Sequence, residues 1–133
     1  MARGKRDGLL IAGGGLAGSL AALALAKLRP EVPLLLVEEG ESFGGNHIWS
    51  FYDEDLDEEE RQLVEPLIAQ SWQGYYVAFP GRSRKFRAGY NSVRSRDLDA
   101  AVRAALRPDQ YRLGTKVVAV RDNELVLVGG EKI

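Results

Sequence analysis

The sequence predicts an α/β fold that opens with a parallel βαβ unit. The apolar run at residues 9–12 meets a glycine-rich turn at residues 13–18, and an alanine- and leucine-rich helix pattern follows at once. A second apolar run then ends in a pair of acidic residues. Strand, glycine turn, helix, strand and acid in this order are typical of a Rossmann-like unit that binds a dinucleotide.

Each glycine of the G-x-G-x-x-G pattern has a physical reason. Gly13 permits the tight turn, Gly15 lets the backbone approach a pyrophosphate, and Gly18 lets the helix pack closely on the strand. The helix N-terminus then points free N–H groups and a partial positive charge at the anion. The alternative is a purely structural βαβ turn, since glycine-rich turns are common.

The second strand ends in the candidate ribose ligand. The helix pattern Leu16–Leu28 stops at Arg29 and Pro30, and the apolar run Leu34–Val37 follows. Glu38 comes directly after that run, where an acid roughly 20 residues past the fingerprint accepts hydrogen bonds from ribose hydroxyls. It would repel a 2′-phosphate, which disfavours NADP. Glu39 is better explained as a solvated strand-end charge.

Length and composition limit the classes of protein to which the chain can belong. The chain has 133 residues, a net charge of −1 and 45% hydrophobic residues, which suits one small domain and gives no reason to expect a nucleic-acid partner. It has no cysteine, which excludes disulfides and fits a reducing compartment, so we expect a cytoplasmic protein. Its single histidine makes a histidine-rich metal site impossible, and we predict no metal.

The N-terminus has a second interpretation. A basic stretch at residues 1–6 precedes the first apolar run, as in a secretory signal peptide. Three glycines interrupt the apolar part, however, and strand, turn and helix explain each of them. No run reaches the roughly 18 uninterrupted apolar residues of a membrane-spanning helix.

The middle of the chain predicts a loop and then a helix. Residues 40–51 are expected to form a loop. Asp57 and Glu60 have capping-box spacing, and Pro66 should kink or split the helix that follows. The apolar face of that helix is assigned to Leu63, Val64, Leu67 and Ile68.

The remainder predicts a hairpin, a helix and a β-meander. Tyr75–Phe79 is expected to be a strand, with a turn at Pro80 and Gly81. The basic run at residues 82–87 fits a solvated hairpin edge, or a peripheral contact with acidic lipid headgroups or a partner. Ser95 should cap a helix over residues 96–106. Strands are predicted at residues 116–120 and 124–128, joined by a turn at residues 122–123.

The segment at residues 44–51, GGNHIWSF, closely resembles the GGNHTWSF pattern of the bacterial lycopene β-cyclases, with Ile48 in place of threonine. The resemblance covers nearly the whole chain. It includes the glycine turn, the strand end at Glu38, FPGR at residues 79–82 with Gly89 and Tyr90, and LGTKVVAV at residues 113–120.

The resemblance implies a fold of the glutathione-reductase type, bound FAD, and lycopene as substrate. It implies a redox-neutral, acid-catalysed closure of lycopene ends to β-ionone rings, in which reduced FAD stabilises a cation, with NAD(P)H as an external reductant. The family's acid lies in a motif beyond Ile133, so the catalytic residue is unknown here. We therefore expect residues 1–133 to be one domain, the N-terminal portion of a larger flavoprotein, and inactive by themselves.

The resemblance also implies which residues of this chain form the site, by their positions in the matching segments. The pyrophosphate turn is matched by Gly13, Gly15, Leu16, Ala17 and Gly18, and the ribose ligand by Glu38. Arg96 stands where related flavoproteins place an arginine near the phosphates or ribitol, and Val118 lies on the strand that meets adenine. His47 and Trp49 are candidates for the substrate or flavin pocket. The competing functions are another FAD oxidoreductase, of hydroxylase or desaturase type, and a non-catalytic nucleotide-binding piece.

Overall fold

The predicted βαβ unit forms. In the computed structural model, which describes residues 8–133, strands β1 (Leu9–Ala12) and β2 (Leu34–Val37) pair in parallel, with Leu9 opposite Leu34. Helix α1 (Leu16–Leu28) connects them and ends where the sequence predicts. The basic stretch at residues 1–6 lies outside the described residues. The α/β fold class with a Rossmann-like opening is therefore confirmed.

The parallel sheet has a third strand that the sequence did not reveal. The two-residue strand β8 (Tyr111–Arg112) pairs in parallel with β2, which gives the order β1-β2-β8. The last residues of β2 are held on both sides, because Val37 accepts a hydrogen bond from the Gly13 N–H at 2.8 Å and the Glu38 N–H donates to the Arg112 carbonyl at 2.8 Å. The chain is therefore fixed where Glu38 leaves the sheet.

Antiparallel strands form three further sheets. The remaining elements are β3 (Ile48–Tyr52), α2 (Glu58–Val64), β4 (Ile68–Trp72), β5 (Tyr75–Phe79), β6 (Arg82–Phe86), β7 (Tyr90–Arg94), α3 (Ser95–Ala105), β9 (Val117–Arg121) and β10 (Glu124–Leu127), with short 3-10 turns between. A three-stranded sheet has the order β3-β7-β4, a hairpin joins β5 to β6, and β9 pairs with β10.

The predicted loop at residues 40–51 is wrong in its last part. Residues from Ile48 onward form strand β3, antiparallel to β7. Trp49 and Phe51 pack against the core, whereas Ile48 is 69% exposed. This alternation of inward and outward side chains is the period-two pattern of a half-buried strand.

Two further expectations need correction. Ile68 does not lie on a helical face, because α2 ends at Val64, a 3-10 turn carries Pro66, and Ile68 begins β4. The split at Pro66 and the capping box are confirmed, the latter by Asp57 Oδ1 accepting from the Glu60 N–H at 2.8 Å. Ser95 is the first residue of α3 rather than its cap, and its hydroxyl oxygen accepts a hydrogen bond from the His47 N–H instead.

One core joins the parallel sheet to α1 and α3. Its fully buried members include Leu36 of β2, Ala22 of α1, Leu98 of α3 and Phe43 of the connecting loop. The ring of Phe43 meets the ring of Tyr111 edge-on, with centroids 5.5 Å apart. Burying an apolar side chain of this size contributes about 1.5–3 kcal/mol, so this core fixes α3 and the loop before β3 against the sheet.

The helix–strand packing predicts different effects of alanine on stability at two glycines of the turn. A Cβ on Gly18 would lie 2.0 Å from the Gly13 carbonyl oxygen, whereas a Cβ on Gly15 would have nothing within 4 Å. Gly18→Ala should lower the free energy of unfolding by about 1–3 kcal/mol despite the better helix propensity of alanine. In Gly15→Ala, the loss of a good N-cap residue lowers the free energy of unfolding by about 1 kcal/mol, and the stiffer backbone of the unfolded chain raises it by about the same amount. We therefore expect little net change in stability for this variant.

Urea unfolding of the two variants and the parent chain measures this difference. Equal stability of Gly18→Ala and the parent chain would contradict the close packing.

Candidate nucleotide-binding site

The glycine turn uses its first two N–H groups inside the protein. Gly13 has a positive φ of 102°, and its N–H donates to the Val37 carbonyl. The Gly14 N–H donates to Glu38 Oε2 at 2.7 Å. The Gly14 carbonyl accepts from the Gly44 N–H at 2.7 Å and from the Ser19 hydroxyl at 3.1 Å. The turn is thus tied to β2, to α1 and to the loop after β2.

The next N–H group along the turn, that of Gly15, points away from these protein partners. A trans peptide places its N–H opposite its carbonyl, so the Gly15 N–H faces away from Ser19 and Gly44. Gly15 is the N-cap of α1, with no side-chain cap, and the Ser19 N–H makes the first bond back to its carbonyl at 3.0 Å. The N–H groups of Leu16, Ala17 and Gly18 have no intrahelical acceptor. This helix start offers donors and a partial positive charge of about half a unit to an anion.

The glycines separate into two kinds. The open space around the Gly15 Cβ position shows that packing does not require a glycine there, whereas the close approach of a ligand would. Gly18 and Gly14 are required by packing, since a Cβ on Gly14 would lie 2.5 Å from the Phe43 ring. The sequence alone did not reveal that Gly14 is required by packing, because the ring that it contacts belongs to Phe43, 29 positions later in the chain.

Glu38 lies half-buried at the carboxyl end of β2 with both carboxylate oxygens engaged. Oε2 accepts from the Gly14 N–H, and Oε1 accepts from the Gly40 N–H at 2.8 Å. Its own carbonyl accepts from the Thr115 N–H at 2.9 Å. The carboxylate is thereby held beside the glycine turn, which is the position that the sequence predicted for a ribose ligand.

A groove of ≈ 400 Å³ brings three predicted site residues together. Gly13, Glu38 and Val118 all line it, and Val118 is 56% exposed there. The groove lies at the carboxyl ends of β1 and β2, where open parallel sheets bind their ligands. A larger cavity of ≈ 650 Å³ lies at the opposite ends of these strands, between the start of β1 and β10. Its position does not match that of a nucleotide.

The other predicted residues do not line that groove. Gly15, Leu16, Ala17 and Gly18 lie at the start of α1, and His47, Trp49 and Arg96 lie around the start of α3. The backbone of His47 exchanges two hydrogen bonds with Ser95, of 3.2 and 3.0 Å. The rings of His47 and Trp49 are neighbours, with centroids 5.8 Å apart. Arg96 follows Ser95, and its side chain is 74% exposed with an ion pair to Asp97 at 3.6 Å. These residues adjoin the glycine turn through the hydrogen bond between Gly44 and Gly14.

Two residues that support the site were not found from the sequence. Asp99 of α3 accepts from the Phe43 N–H at 2.8 Å and from Arg103 Nε at 2.9 Å. Arg103 Nη2 also donates to the Glu41 carbonyl at 2.8 Å. The hydrogen bond to Asp99 raises the pKa of the Arg103 guanidinium. The i,i+4 spacing of this acid and base was the available signal, although it does not reveal the bonds to the loop.

The part of the chain that the structure describes has few fully buried polar side chains. The buried polar residues between positions 8 and 133 are serine, asparagine and glutamine, and no carboxyl group is buried. None of the described helices is both long and apolar enough to cross a membrane.

Solved structures share this architecture. The chain superposes on 2-methyl-3-hydroxypyridine-5-carboxylic acid oxygenase with a TM-score of 0.72 and 19% identity, covering 98% of this chain and 38% of that one. It superposes on a candidate FAD-containing monooxygenase from Photorhabdus luminescens subsp. laumondii TTO1 with a TM-score of 0.52 and 13% identity, covering 93% and 36%. The fold is therefore the Rossmann-like fold of flavoproteins.

Sequence comparison gives the family. The chain is 39% identical to a lycopene beta-cyclase of Pseudescherichia vulneris and 34% identical to one of Pantoea ananas, in each case over 94% of this chain and 32% of the relative. It thus spans about a third of the length of these curated relatives. The family model described as lycopene cyclase protein matches residues 8–133. The chain therefore belongs to the lycopene cyclase family.

Proposed function

We propose that this chain is the FAD-binding, N-terminal part of a lycopene β-cyclase. The observation that carries the proposal is the start of α1, where the turn leaves open space at Gly15 beside N–H groups without intrahelical acceptors. Family membership supports the choice of a carotenoid as substrate. We place the protein in the cytoplasm, with the exposed basic residues of β6 as its candidate contact with a membrane.

In this proposal the ADP half of FAD lies along the groove. The N–H groups of Gly15, Leu16, Ala17 and Gly18 hold the pyrophosphate, and Gly13 shapes the turn. Glu38 faces the ribose, and Val118 faces the adenine. The exposed Arg96 guanidinium reaches the phosphates or ribitol, and His47 and Trp49 line the flavin or substrate pocket.

The proposed reaction is the redox-neutral cyclisation of lycopene ends to β-ionone rings. Reduced FAD would supply negative charge beside a developing cation, which is worth several kcal/mol in a site that excludes water. NAD(P)H would serve only as the external reductant. The residues described here contribute the binding and orientation of the cofactor, and the acid that protonates lycopene is proposed to lie in a later motif.

A second candidate is an FAD-dependent oxidoreductase, and the oxygenases among the similar folds favour it. The two functions differ in their electron balance. An oxidoreductase of the hydroxylase type consumes NAD(P)H in proportion to product, and one of the desaturase type passes electrons from its substrate to an acceptor. A cyclase needs reductant only to keep its flavin reduced. Measuring the ratio of NAD(P)H oxidised to carotenoid converted separates them.

The geometry predicts that ADP and FAD bind to the chain with similar affinity. The groove would meet the adenosine and the start of α1 the pyrophosphate, whereas the flavin side offers only the exposed His47 and Arg96 and the half-buried Trp49. The isoalloxazine should therefore add less than about tenfold, or about 1.4 kcal/mol. Isothermal titration of the chain with each ligand measures this. A hundredfold preference for FAD would contradict the prediction, and absence of binding by both would contradict the proposed cofactor.

Gly15→Val should abolish nucleotide binding and leave the protein folded. The side chain has open space in the protein itself but would stand where the pyrophosphate must approach. ADP titration together with circular dichroism tests both halves of the statement. Gly15→Ala is the graded control, with intermediate affinity, and normal ADP binding by the valine variant would overturn the assignment of the turn.

The chain by itself should not cyclise lycopene. No carboxyl group is buried among residues 8–133, and a general acid in a polyene pocket needs burial to stay protonated near neutral pH. Lycopene in liposomes with FAD and a reductant is the assay, with chromatography of the carotenoids. A polypeptide continuing past Ile133 should be active under the same conditions. γ- or β-carotene formed by the chain alone would place the acid within it.

A further inference from the structure

We propose that the β5–β6 hairpin is a membrane anchor, whose apolar tip enters the headgroup region of a bilayer while its cations bind acidic phospholipids. The inference rests on the proposed function for its motive, since a carotenoid is an apolar substrate that dissolves in a bilayer. It goes beyond a basic contact, because it assigns the tip of the hairpin, residues 77–80, to insertion. The hairpin does not line the nucleotide groove.

The hairpin lies in a segment of the chain with a strong charge bias. Residues 66–96 contain six of the 18 Lys and Arg residues and none of the 19 Asp and Glu residues. The rest of the chain therefore has 12 basic and 19 acidic residues, a net charge of −7. Four of the six cations lie on β6 or directly after it, namely Arg82, Arg84, Lys85 and Arg87. A basic cluster on an otherwise acidic protein favours contact with an anionic surface.

These four cations have no carboxylate partner among residues 8–133. All four are exposed. The guanidinium of Arg84 lies over the ring of Phe86, 4.9 Å from its centroid. Exposed arginines elsewhere differ, since Arg29 pairs with Glu31. The charges of the hairpin are therefore available to an external anion.

Apolar and aromatic side chains share the hairpin with these cations. Tyr76 is 75% exposed and Phe79 is 69% exposed, and Val77 between them is 37% exposed. Phe79 pairs with Arg82 across the hairpin, and Tyr76 pairs with Lys85. Because directly paired residues project from the same face of a sheet, each ring has a cation beside it. Rings with adjacent cations are typical of segments at a membrane interface, where the ring is buried and the cation reaches the headgroups.

The hairpin is fixed to the rest of the protein by an aromatic base. The rings of Tyr75 and Phe86 stack with centroids 5.0 Å apart, and the ring of Tyr75 also lies 5.5 Å from that of Tyr52. Beyond this base, every residue from 76 to 85 is exposed. The base therefore holds the hairpin in place, and the residues beyond it are accessible to a bilayer.

Protection of a strand edge explains the cations of the hairpin but not its rings. Basic residues on an exposed strand prevent other molecules from pairing with it. An exposed ring such as that of Phe79 has the opposite effect, because it promotes association. Residues 77–79 extend about 7 Å at about 3.3 Å per residue, which matches the roughly 5–10 Å to which interfacial apolar groups enter a bilayer. Insertion therefore accounts for both kinds of residue.

Flotation of the whole chain with lipid vesicles tests the anchor in the absence of nucleotide and carotenoid. The probe vesicles contain phosphatidylglycerol and phosphatidylcholine in equal parts, and vesicles of phosphatidylcholine alone are the lipid control. We expect at least about tenfold tighter binding to the acidic vesicles, and loss of this preference at about 0.5 M salt. Equal binding to the two kinds of vesicle, or binding to neither, overturns the inference.

Charge variants locate the contact on the protein. The hairpin variant carries Arg82→Gln, Arg84→Gln and Lys85→Gln. The matched control removes the same charge from exposed residues elsewhere and carries Arg29→Gln, Arg107→Gln and Arg121→Gln. The hairpin variant should bind acidic vesicles about 100-fold more weakly, at about fivefold per charge, and the control should change by less than about threefold. An equal loss of binding in the two variants overturns the inference.

A fluorescent label tests the insertion of the tip. The chain has no cysteine, so one introduced cysteine can carry an environment-sensitive nitrobenzoxadiazole label. In Phe79→Cys, the emission of the label should rise at least about twofold on acidic vesicles, because the tip leaves water. Leu28→Cys is the matched control, since Leu28 is also 69% exposed, and its label should not respond. Unchanged emission at position 79 in vesicle-bound protein overturns insertion.

Two further comparisons separate the anchor from its alternatives. Tighter binding of an oligouridylate than of acidic vesicles would overturn the lipid in favour of a nucleic acid. Vesicle binding by a chain that does not bind ADP would support the anchor and contradict the proposed cofactor. Binding of ADP without binding of vesicles would support the proposed cofactor and overturn the anchor.

Discussion

The arrangement of the site depends on the contact between the ring of Phe43 and the backbone of Gly14. The ring is fully buried, and it lies so close that a Cβ on Gly14 would be 2.5 Å away. The ring also packs edge-on with Tyr111 of the third parallel strand. One aromatic side chain therefore connects the glycine turn, the loop after β2 and the edge of the sheet. Replacing it with a smaller residue would leave a cavity directly beneath the turn.

The four glycines of the turn are there for different structural reasons, although they look alike in the sequence. Gly13 supplies a backbone conformation that other residues rarely adopt, and Gly14 and Gly18 supply room for neighbouring atoms of the protein. The Cβ positions of Gly13 and Gly15 both border open space, but Gly15 has an ordinary φ of −70°. Backbone conformation explains Gly13, and packing explains Gly14 and Gly18. Neither requires a glycine at position 15, whereas the close approach of a bound anion would. This difference makes the structure more informative about function than the motif is.

The parts of the fold that could be predicted are those with local signals. The run Leu34–Val37, the helix stop at Pro30 and the capping box of Asp57 each act within a few residues. Strand β7 was not predicted, because its alternation is irregular and its partners β3 and β4 lie about 20 to 40 positions away in the chain, where pairing is decided by tertiary contacts. The same reasoning applies to the candidate site. Glu38 could be proposed from its position after a strand, whereas Asp99 accepts a hydrogen bond from the Phe43 N–H, which only the folded chain brings near it.

The order of the parallel sheet has a practical consequence for handling the polypeptide. Among residues 8–133, β1 has a neighbouring strand on one side only, and Leu9 at its start is 43% exposed. An apolar strand with a free edge is a template on which a second molecule can add a strand of its own. We therefore expect strand addition at this edge to grow with protein concentration, and dilute samples of this polypeptide to favour the monomer.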